Sequence, residues 1–263
     1  MDQHEKGERF RALHEGDPFV IPNPWDIGSA RVLQGLGFPA LATTSSGFAF
    51  TLGRGDGGAD LDEVVAHVRA VADATEAPLA VDLEHGHGPA AADAARAIER
   101  VAEAGAVGGS IEDWDPVAGA LYPVEEAAQR VAAASAAARA LPFPFMLAGR
   151  AENHIRGNPD LDDTIARLQA YERAGADVLY APGLRSTDEI RAVCDAVGRP
   201  VNVLARPDLG RDEIFAAGAQ RISVGGALTW VATTALTEAA TRIRDDGDLS
   251  VLSNRPPDRD WLR

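Results

Sequence analysis

The sequence predicts a single (β/α)8 barrel domain that spans residues 1–263. Two observations support this fold class. The chain has 263 residues, of which 46% are hydrophobic, and this length suffices for one large α/β barrel with a sizeable core. Short apolar runs alternate along the chain with helical patterns, as they do in βαβ units. Eight such units in this length indicate a barrel, and a doubly wound open sheet is the alternative.

The predicted elements follow one another in a regular order. The charged segment 1–17 is expected to form a helix across the barrel floor. The apolar, partly β-branched runs predicted as strands are 19–23, 40–45, 79–84, 108–113, 145–150, 177–182, 201–206 and 221–226. Segments with Ala, Arg and Leu at helical spacing are predicted as helices at 26–36, 61–75, 91–104, 125–140, 162–174, 187–197 and 211–217. The tail 246–263, which prolines break after Arg255, is expected to pack on a neighbouring subunit.

A weak internal repeat supports this count of units. In the segments LGFPALATT, AGAVGGSIE, AGADVLYAP and AGAQRISVG, a helical pattern ends in glycine and a strand-like run follows. The four glycines are Gly37, Gly105, Gly175 and Gly218. Glycine is expected there because the position after a helix favours left-handed backbone, which glycine adopts without a steric penalty.

The composition excludes several classes of protein. The chain carries 40 acidic and 25 basic residues, for a net charge of −15, which argues against nucleic-acid binding. Its one lysine, Lys6, lies before any strand-like run, so Schiff-base enzymes and Walker A nucleotide sites are excluded. The one cysteine, Cys194, excludes an internal disulfide and Cys-rich zinc sites. No apolar run reaches the ~18 residues of a membrane span, so we expect a soluble, cytoplasmic protein without a membrane partner.

Acidic residues lie at the carboxyl ends of the third and fourth predicted strands. Barrel enzymes place their active sites at the carboxyl ends of the strands, and Asp82, Glu84 and Glu112 occupy such positions. Asp82 and Glu84 are two residues apart, so on an extended strand they share one face. Three clustered carboxylates are costly unless a cation neutralises them, and oxygen ligands favour Mg²⁺ or Mn²⁺. Capping of the following helices is the alternative role for such acids.

Other polar and aromatic residues gather at the same end. The Arg150 guanidinium either pairs with these acids or binds a substrate carboxylate bidentately, and we favour the second role. Backbone N–H groups and hydroxyls at Ser45, Ser46 and Gly47 could hold another carboxylate. His85, beside the acids, is either a metal ligand or proton carrier, or an exposed loop imidazole. Trp25 is placed to form a wall of the pocket.

Six segments in order resemble the isocitrate lyase and phosphoenolpyruvate mutase superfamily. They are PNPWDIGSARVLQGLGFPAL, TTSSGFAFTLGRGD, VDLEHGHG, SIED, GRAEN and AGADVLYAP. The resemblance implies a barrel with a divalent metal at the strand ends, acting on 2-oxo acids or related carboxylates through an enolate-like intermediate. It also implies a homodimer or homotetramer with an exchanged C-terminal helix.

The resemblance assigns roles to individual residues. It implies that Asp82, followed by Glu84, is the main metal contact and that Glu112 lies in the water shell of the metal. Asp56 is expected to approach the metal from the second loop. Arg150 is implied to clamp the substrate, and the turn at Ser45, Ser46 and Gly47 to bind a substrate carboxylate.

One departure from the superfamily pattern narrows the function. The lyases carry a Lys- and Cys-containing gating loop after the SIED-like segment, and the mutase and hydrolase branches use Lys and Asn there. In this chain the loop reads WDPVAGALYPVEE and has none of these residues. The leading hypothesis is therefore a Mg²⁺-dependent carbon–carbon lyase or decarboxylase acting on a small 2-oxo or 2-hydroxy dicarboxylate, with oxaloacetate as one candidate. The proton donor would be water, His85 or Tyr122.

Three alternatives stay open at this point. The chain could be a non-catalytic protein that binds 2-oxo acids, a metal-dependent aldolase or a phosphonopyruvate-type hydrolase. Turnover of a 2-oxo acid panel, with its products identified, separates these functions.

Overall fold

The computed structural model describes residues 1–254 and 261 and shows the predicted (β/α)8 barrel. Its strands are β1 (Phe19–Ile21), β2 (Leu41–Ala42), β3 (Leu79–Asp82), β4 (Gly108–Glu112), β5 (Trp114–Asp115), β6 (Ala120–Leu121), β7 (Met146–Arg150), β8 (Val178–Tyr180), β9 (Val201–Leu204) and β10 (Arg221–Ser223). Eight of them pair in parallel in the order β1-β10-β9-β8-β7-β4-β3-β2. The Ala42 N–H donates to the Pro22 carbonyl at 3.1 Å and links the two ends of this sheet. A barrel, not an open sheet, is the fold.

Helices surround the barrel between successive strands. They are α1 (Gln3–Glu15), α2 (Ile27–Gly35), α3 (Ser45–Thr51), α4 (Leu61–Ala74), α5 (Ala91–Glu103), α6 (Val124–Ala140), α7 (Leu161–Arg173), α8 (Thr187–Ala196), α9 (Arg211–Ala216) and α10 (Ala227–Asp246). A short 3₁₀ helix, Leu249–Ser253, follows α10. Within the described part of the chain, none of these helices has the length and apolar composition that crossing a bilayer requires.

The four glycines of the repeat have the predicted backbone conformation. Gly37, Gly105, Gly175 and Gly218 have φ angles of 86°, 104°, 99° and 108°. A side chain at Gly105 or Gly175 would also meet a neighbouring helix, since a Cβ would lie 2.8 Å from Ala72 Cβ or 2.5 Å from Ser135 Oγ. Each glycine therefore ends a helix and lets the chain turn into the next strand.

The N-terminal helix covers the amino ends of the strands, as predicted for segment 1–17. Phe10 of α1 is fully buried and contacts the start of β4, where a Cβ on Gly108 would lie 2.6 Å from its ring. The Lys6 ammonium donates to the Thr75 carbonyl at 2.8 Å, and the amino terminus pairs with Glu76 at 2.7 Å. The chain's single lysine and its amino terminus thus both lie at the barrel floor.

One predicted strand is shorter in the structure, and one predicted segment lies partly outside the described residues. The predicted strand 40–45 is only two residues long, because Thr44 caps α3 and the helix begins at Ser45. The tail expected to pack on a neighbouring subunit lies outside the described residues at 255–260 and 262–263. Trp261 lies against α2, with its Cβ 3.3 Å from the position that a Cβ on Gly35 would take.

The last long helix has little contact with the barrel. Of the residues in α10, Thr229 is buried, whereas Trp230, Val231 and Leu236 are 47%, 65% and 67% exposed. Such apolar exposure along one helix is more than isolated surface residues explain.

Candidate active site

The acids at the carboxyl ends of β3 and β4 form the edge of the site. Asp82 is the last residue of β3, and its carboxylate accepts hydrogen bonds from the Ser45 N–H and the Glu84 N–H, both at 3.3 Å. Glu112, the last residue of β4, is buried. Its N–H donates to the Glu84 carbonyl at 2.9 Å. These bonds hold the ends of two adjacent strands and the start of α3 together.

Glu84 reaches this edge in a different way from the one predicted. The expectation that Asp82 and Glu84 share a strand face is wrong, because β3 ends at Asp82 and Glu84 has a φ of +49° in a left-handed turn. The Gly86 N–H closes this turn on the Leu83 carbonyl at 2.8 Å. The Glu84 carboxylate approaches the loop after α3, where its Oε2 lies 3.4 Å from the position of a Cβ on Gly57.

Arg150 lies among these carboxylates. Its Nη1 is 3.4 Å from Asp82 Oδ1 and 3.3 Å from Glu112 Oε2, and its Nε donates to Glu152 Oε1 at 2.5 Å. The guanidinium carbon is 5.3 Å from the ring centre of Tyr180. Of the two roles considered for Arg150, the structure shows the ion pairs with the acids, and the substrate clamp stays a prediction.

The acids are difficult to ionise together. Burial raises the pKa of Glu84 to about 8, and the neighbouring Asp82 and Asp56 carboxylates add to this effect. Burial also raises the pKa of Glu112 well above its usual value, although Arg150 opposes the shift. One guanidinium thus does not fully compensate the negative charge at these strand ends, and a further cation would stabilise the ionised cluster.

A cavity of about 200 Å³ opens beside this cluster and extends into the barrel. This volume is below the range of drug-sized pockets and suits a small acid. Of the predicted residues, Ser45, Ser46, Asp56, Asp82 and Arg150 line it. The sequence analysis assigned no role to the other polar residues of its wall, which include Asn23, Thr43, Ser110, Tyr180, Asn202, Arg221 and Ser223.

Comparison with known proteins identifies the family. The family model for phosphoenolpyruvate phosphomutase matches residues 10–244. The chain belongs to this family. The match covers most of the chain and confirms the resemblance to the isocitrate lyase and phosphoenolpyruvate mutase superfamily.

Relatives with assigned reactions act on small carboxylates. The chain is 30% identical over 257 residues to oxaloacetate decarboxylase of Bradyrhizobium diazoefficiens, covering 93% of this chain and 87% of the relative. It is 31% identical over 211 residues to 2-methylisocitrate lyase of Escherichia coli, covering 76% and 70%. A crystal structure of a Burkholderia cenocepacia J2315 protein, named provisionally as a lyase/mutase, is 49% identical with a TM-score of 0.94 and covers 99% of this chain and 96% of that one. The protein is accordingly an enzyme of the lyase type.

In this phosphoenolpyruvate phosphomutase family member, a short hairpin occupies the place of the gating loop. Strands β5 and β6 pair antiparallel, and the Asp115 carboxylate accepts from the N–H groups of Val117 and Ala118 at 2.8 and 3.1 Å. The Trp114 ring lies 4.3 Å from the guanidinium carbon of Arg156. The hairpin is therefore closed on itself and held at its base by a cation–π contact.

Arg156 is a second cation at the site that the sequence analysis missed. Its Nε donates to Glu152 Oε2 at 3.0 Å, and its Nη2 is 3.7 Å from Glu112 Oε1. The carboxylates of Glu112 and Glu152 thus lie between Arg150 and Arg156. The residue is in the loop ENHIRG after β7, where no periodic pattern marks it.

Five predicted site residues do not line the described cavity wall: Glu84 and Glu112 of the acid cluster, and Gly47, Trp25 and His85. Gly47 is buried inside α3, and its N–H donates to Thr44 Oγ1 at 3.4 Å. Trp25 is half-buried behind Gly47, where a glycine Cβ would lie 2.9 Å from the Trp25 Cβ. His85 is held at the outer side of the β3 turn, since its carbonyl accepts from the buried Arg130 guanidinium.

The environments of two suggested proton donors differ from what the sequence implies. Burial, followed by the charges of His87 and Arg130, lowers the pKa of His85 to about 4, so its imidazole is neutral at pH 7. Tyr122 is buried with its ring 4.6 Å from the Arg130 guanidinium carbon, away from the described cavity wall. Tyr180, in contrast, faces the cavity, and burial raises the pKa of its hydroxyl.

A buried network supports the site from behind. Asp113 accepts hydrogen bonds from the Tyr171 hydroxyl at 2.5 Å and the Arg167 Nη1 at 2.9 Å. It also accepts from the Glu152 N–H at 2.8 Å. Because Glu152 holds both Arg150 and Arg156, this network fixes the positions of both guanidinium groups.

The carboxylates at the strand ends offer oxygen ligands for a divalent cation. Among residues 1–254 and 261, no three His, Cys, Asp or Glu side chains form a preassembled chelating group. Mg²⁺ in proteins is commonly held by one or two carboxylates and several waters. Asp82 and Glu84 supply hard oxygen donors of this kind. Asp56 lies close enough to contribute to the raised pKa of Glu84. The residues present therefore fit Mg²⁺ or Mn²⁺ bound largely through water.

Proposed function

We propose that the protein is a Mg²⁺-dependent carbon–carbon lyase or decarboxylase that acts on a small 2-oxo or 2-hydroxy dicarboxylate through an enolate. The observation that carries this proposal is the cluster of Asp82, Glu84 and Glu112 beside Arg150 and next to a small cavity. The relatives named as oxaloacetate decarboxylase and 2-methylisocitrate lyase support it. Oxaloacetate is one candidate substrate.

The metal would be held by Asp82 and Glu84, with Glu112 and Asp56 bonding through water. When bound, Mg²⁺ or Mn²⁺ acts as a Lewis acid that polarises the 2-oxo group of the substrate. Its positive charge would offset both the burial and, after it, the carboxylate repulsion that raise the pKa of Glu84. Asp82 would then no longer depend on Arg150 for compensation, which leaves this guanidinium available to a substrate carboxylate.

The protein's own groups would orient the substrate and supply the proton. Arg150 would hold one carboxylate bidentately. Ser45 and Ser46 line the cavity at the start of α3 and would bind another carboxylate, whereas the Gly47 N–H is already used by Thr44. Tyr180 faces the cavity as a neutral phenol, and it replaces His85 and Tyr122 as our candidate for the group that returns a proton to the enolate.

The test is turnover of a 2-oxo acid panel by EDTA-treated protein, with and without added Mg²⁺ or Mn²⁺. We expect metal-dependent release of pyruvate or CO₂. Arg150→Ala should lower kcat/KM by about 100-fold or more, as loss of a charged transition-state contact does. Arg96→Ala removes an exposed arginine that pairs with Asp93 on α5 and serves as the control.

The products also distinguish the alternatives. Glyoxylate would indicate an aldolase reaction, and phosphate from a phosphonate substrate would indicate a hydrolase. Full turnover by Arg150→Ala on every accepted acid would refute the clamp, and metal-independent turnover would refute the metal's role.

We also propose that the protein forms a homodimer or homotetramer through α10. The support is the exposed apolar surface of Trp230, Val231 and Leu236 on a helix with little barrel contact. Light scattering should give a mass of two or four chains, and Leu236→Glu should reduce it. A monomeric wild-type protein would refute this assembly.

A further inference from the structure

The cavity extends below the acid cluster because the barrel interior is poorly filled on one side. Barrel interiors are usually packed with bulky branched residues. Here Ala42, Ala80, Ser110 and Ala148, on the adjacent strands β2, β3, β4 and β7, line the cavity instead. Their small side chains leave space that runs from the mouth towards the barrel floor.

A buried arginine lies at the lower end of this space. Arg221 is the first residue of β10 and is 7% exposed, yet it lines the cavity. Its Nε donates to Asn202 Oδ1 at 2.8 Å, and its Nη1 is 3.1 Å from His14 Nε2. Within residues 1–254 and 261, no acid lies within ion-pair distance of this guanidinium, and its Nη2 makes no hydrogen bond.

The groups around Arg221 are neutral. The His14 Nδ1 is 2.8 Å from the Phe10 carbonyl, so its Nε2 accepts from the guanidinium, and burial followed by the Arg221 charge lowers the His14 pKa to about 3. Burial raises the pKa of Tyr180, which is therefore a phenol. Burial lowers the pKa of Arg221 to about 10, so it stays charged at neutral pH. A buried charge without a counter-ion is strongly unfavourable.

We infer that the cavity floor is a binding site for a small monovalent anion, held by the free Nη2 of Arg221 and the surrounding polar groups. A halide and a one-carbon or two-carbon carboxylate share the required chemistry: one negative charge and a size that fits the end of the cavity at Arg221. This site lies in the same cavity as Arg150 but is formed by different charged and polar residues, and it does not depend on the reaction proposed above.

The test measures thermal stability of EDTA-treated protein without substrate, at constant ionic strength maintained with gluconate, which is too large for the floor. Chloride, bromide, formate and acetate are titrated separately. For the wild type we expect a saturable rise in Tm of about 5 °C, since a ligand that binds only the folded state stabilises it. Arg221→Met should show no anion-specific rise, and the surface control Arg96→Met should respond like the wild type.

A second variant keeps the arginine and supplies its counter-charge. Asn202→Asp places a carboxylate where Nε already donates, so this variant should be insensitive to anions and should match the anion-saturated wild type. Anomalous scattering from bromide-soaked crystals should show bromide at Arg221. Equal anion responses in wild type, Arg221→Met and Asn202→Asp would overturn the inference, as would bromide absent from the floor. A response to carboxylates but not to halides would assign the site to carboxylates.

Discussion

Replacing Glu84 by glutamine should stabilise the metal-free protein at alkaline pH. Burial and the Asp82 and Asp56 carboxylates raise the pKa of Glu84 from 4.5 to about 8. The folded state therefore holds this proton more tightly than the unfolded state, and stability is lost as the pH rises from about 4.5 to about 8. At about 1.4 kcal/mol per pKa unit, the upper limit is about 5 kcal/mol. Since Glu84 keeps partial solvent contact, we expect about 2 kcal/mol, or a Tm difference of about 4–8 °C.

The assay is thermal unfolding followed by circular dichroism between pH 5 and 8.5 in EDTA. Wild-type protein should lose stability across this range, and Glu84→Gln should lose much less. The exposed Glu103 on α5 provides the control substitution, Glu103→Gln, which should follow the wild type. Added Mg²⁺ should raise the Tm of wild type more than that of Glu84→Gln. Identical pH profiles for wild type and Glu84→Gln would refute the electrostatic reasoning.

Three further substitutions test the packing around the site. Gly47→Ala should cost about 1–3 kcal/mol, because its Cβ would lie 2.6 Å from a buried threonine hydroxyl of α10; Gly55→Ala, with nothing within 4 Å, should leave the Tm unchanged. Tyr171→Phe removes a hydrogen-bond donor to buried Asp113 and should lower the free energy of unfolding in urea by about 1–3 kcal/mol. An unchanged urea midpoint would contradict this expectation. Trp114→Ala removes the ring beneath a guanidinium and should cost about 0.5–1 kcal/mol; proteolysis of the hairpin should become faster, and an unaltered rate would argue against the contact.

The barrel was predictable because its signals are local and repeated. Apolar runs of strand length recur along the chain, and left-handed glycines such as Gly105 and Gly175 end the helix at four of the helix-to-strand steps. Each of these signals reflects a backbone requirement that the local sequence expresses. The start of α3 was harder to predict from the sequence. Its signal is Thr44 as a helix cap, but the preceding apolar residues continued the strand pattern across it.

Parts of the site depend on tertiary geometry and leave no pattern in the chain. The left-handed turn at Glu84 reverses the side-chain direction that strand alternation predicts. Arg156 reaches the acids from an irregular loop. Arg221 lies at the amino end of a barrel strand, where residues usually serve stability, and only the small side chains of other strands connect it to the cavity.

The position of Lys6 has a practical consequence for binding experiments. It is the single lysine of the chain, and its ammonium and the amino terminus lie together at the barrel floor. Amine coupling to a sensor surface therefore attaches every molecule by the same face. The acid cluster at the opposite face then points into the flowing solution, so metal and carboxylate binding can be measured on a uniformly oriented sample.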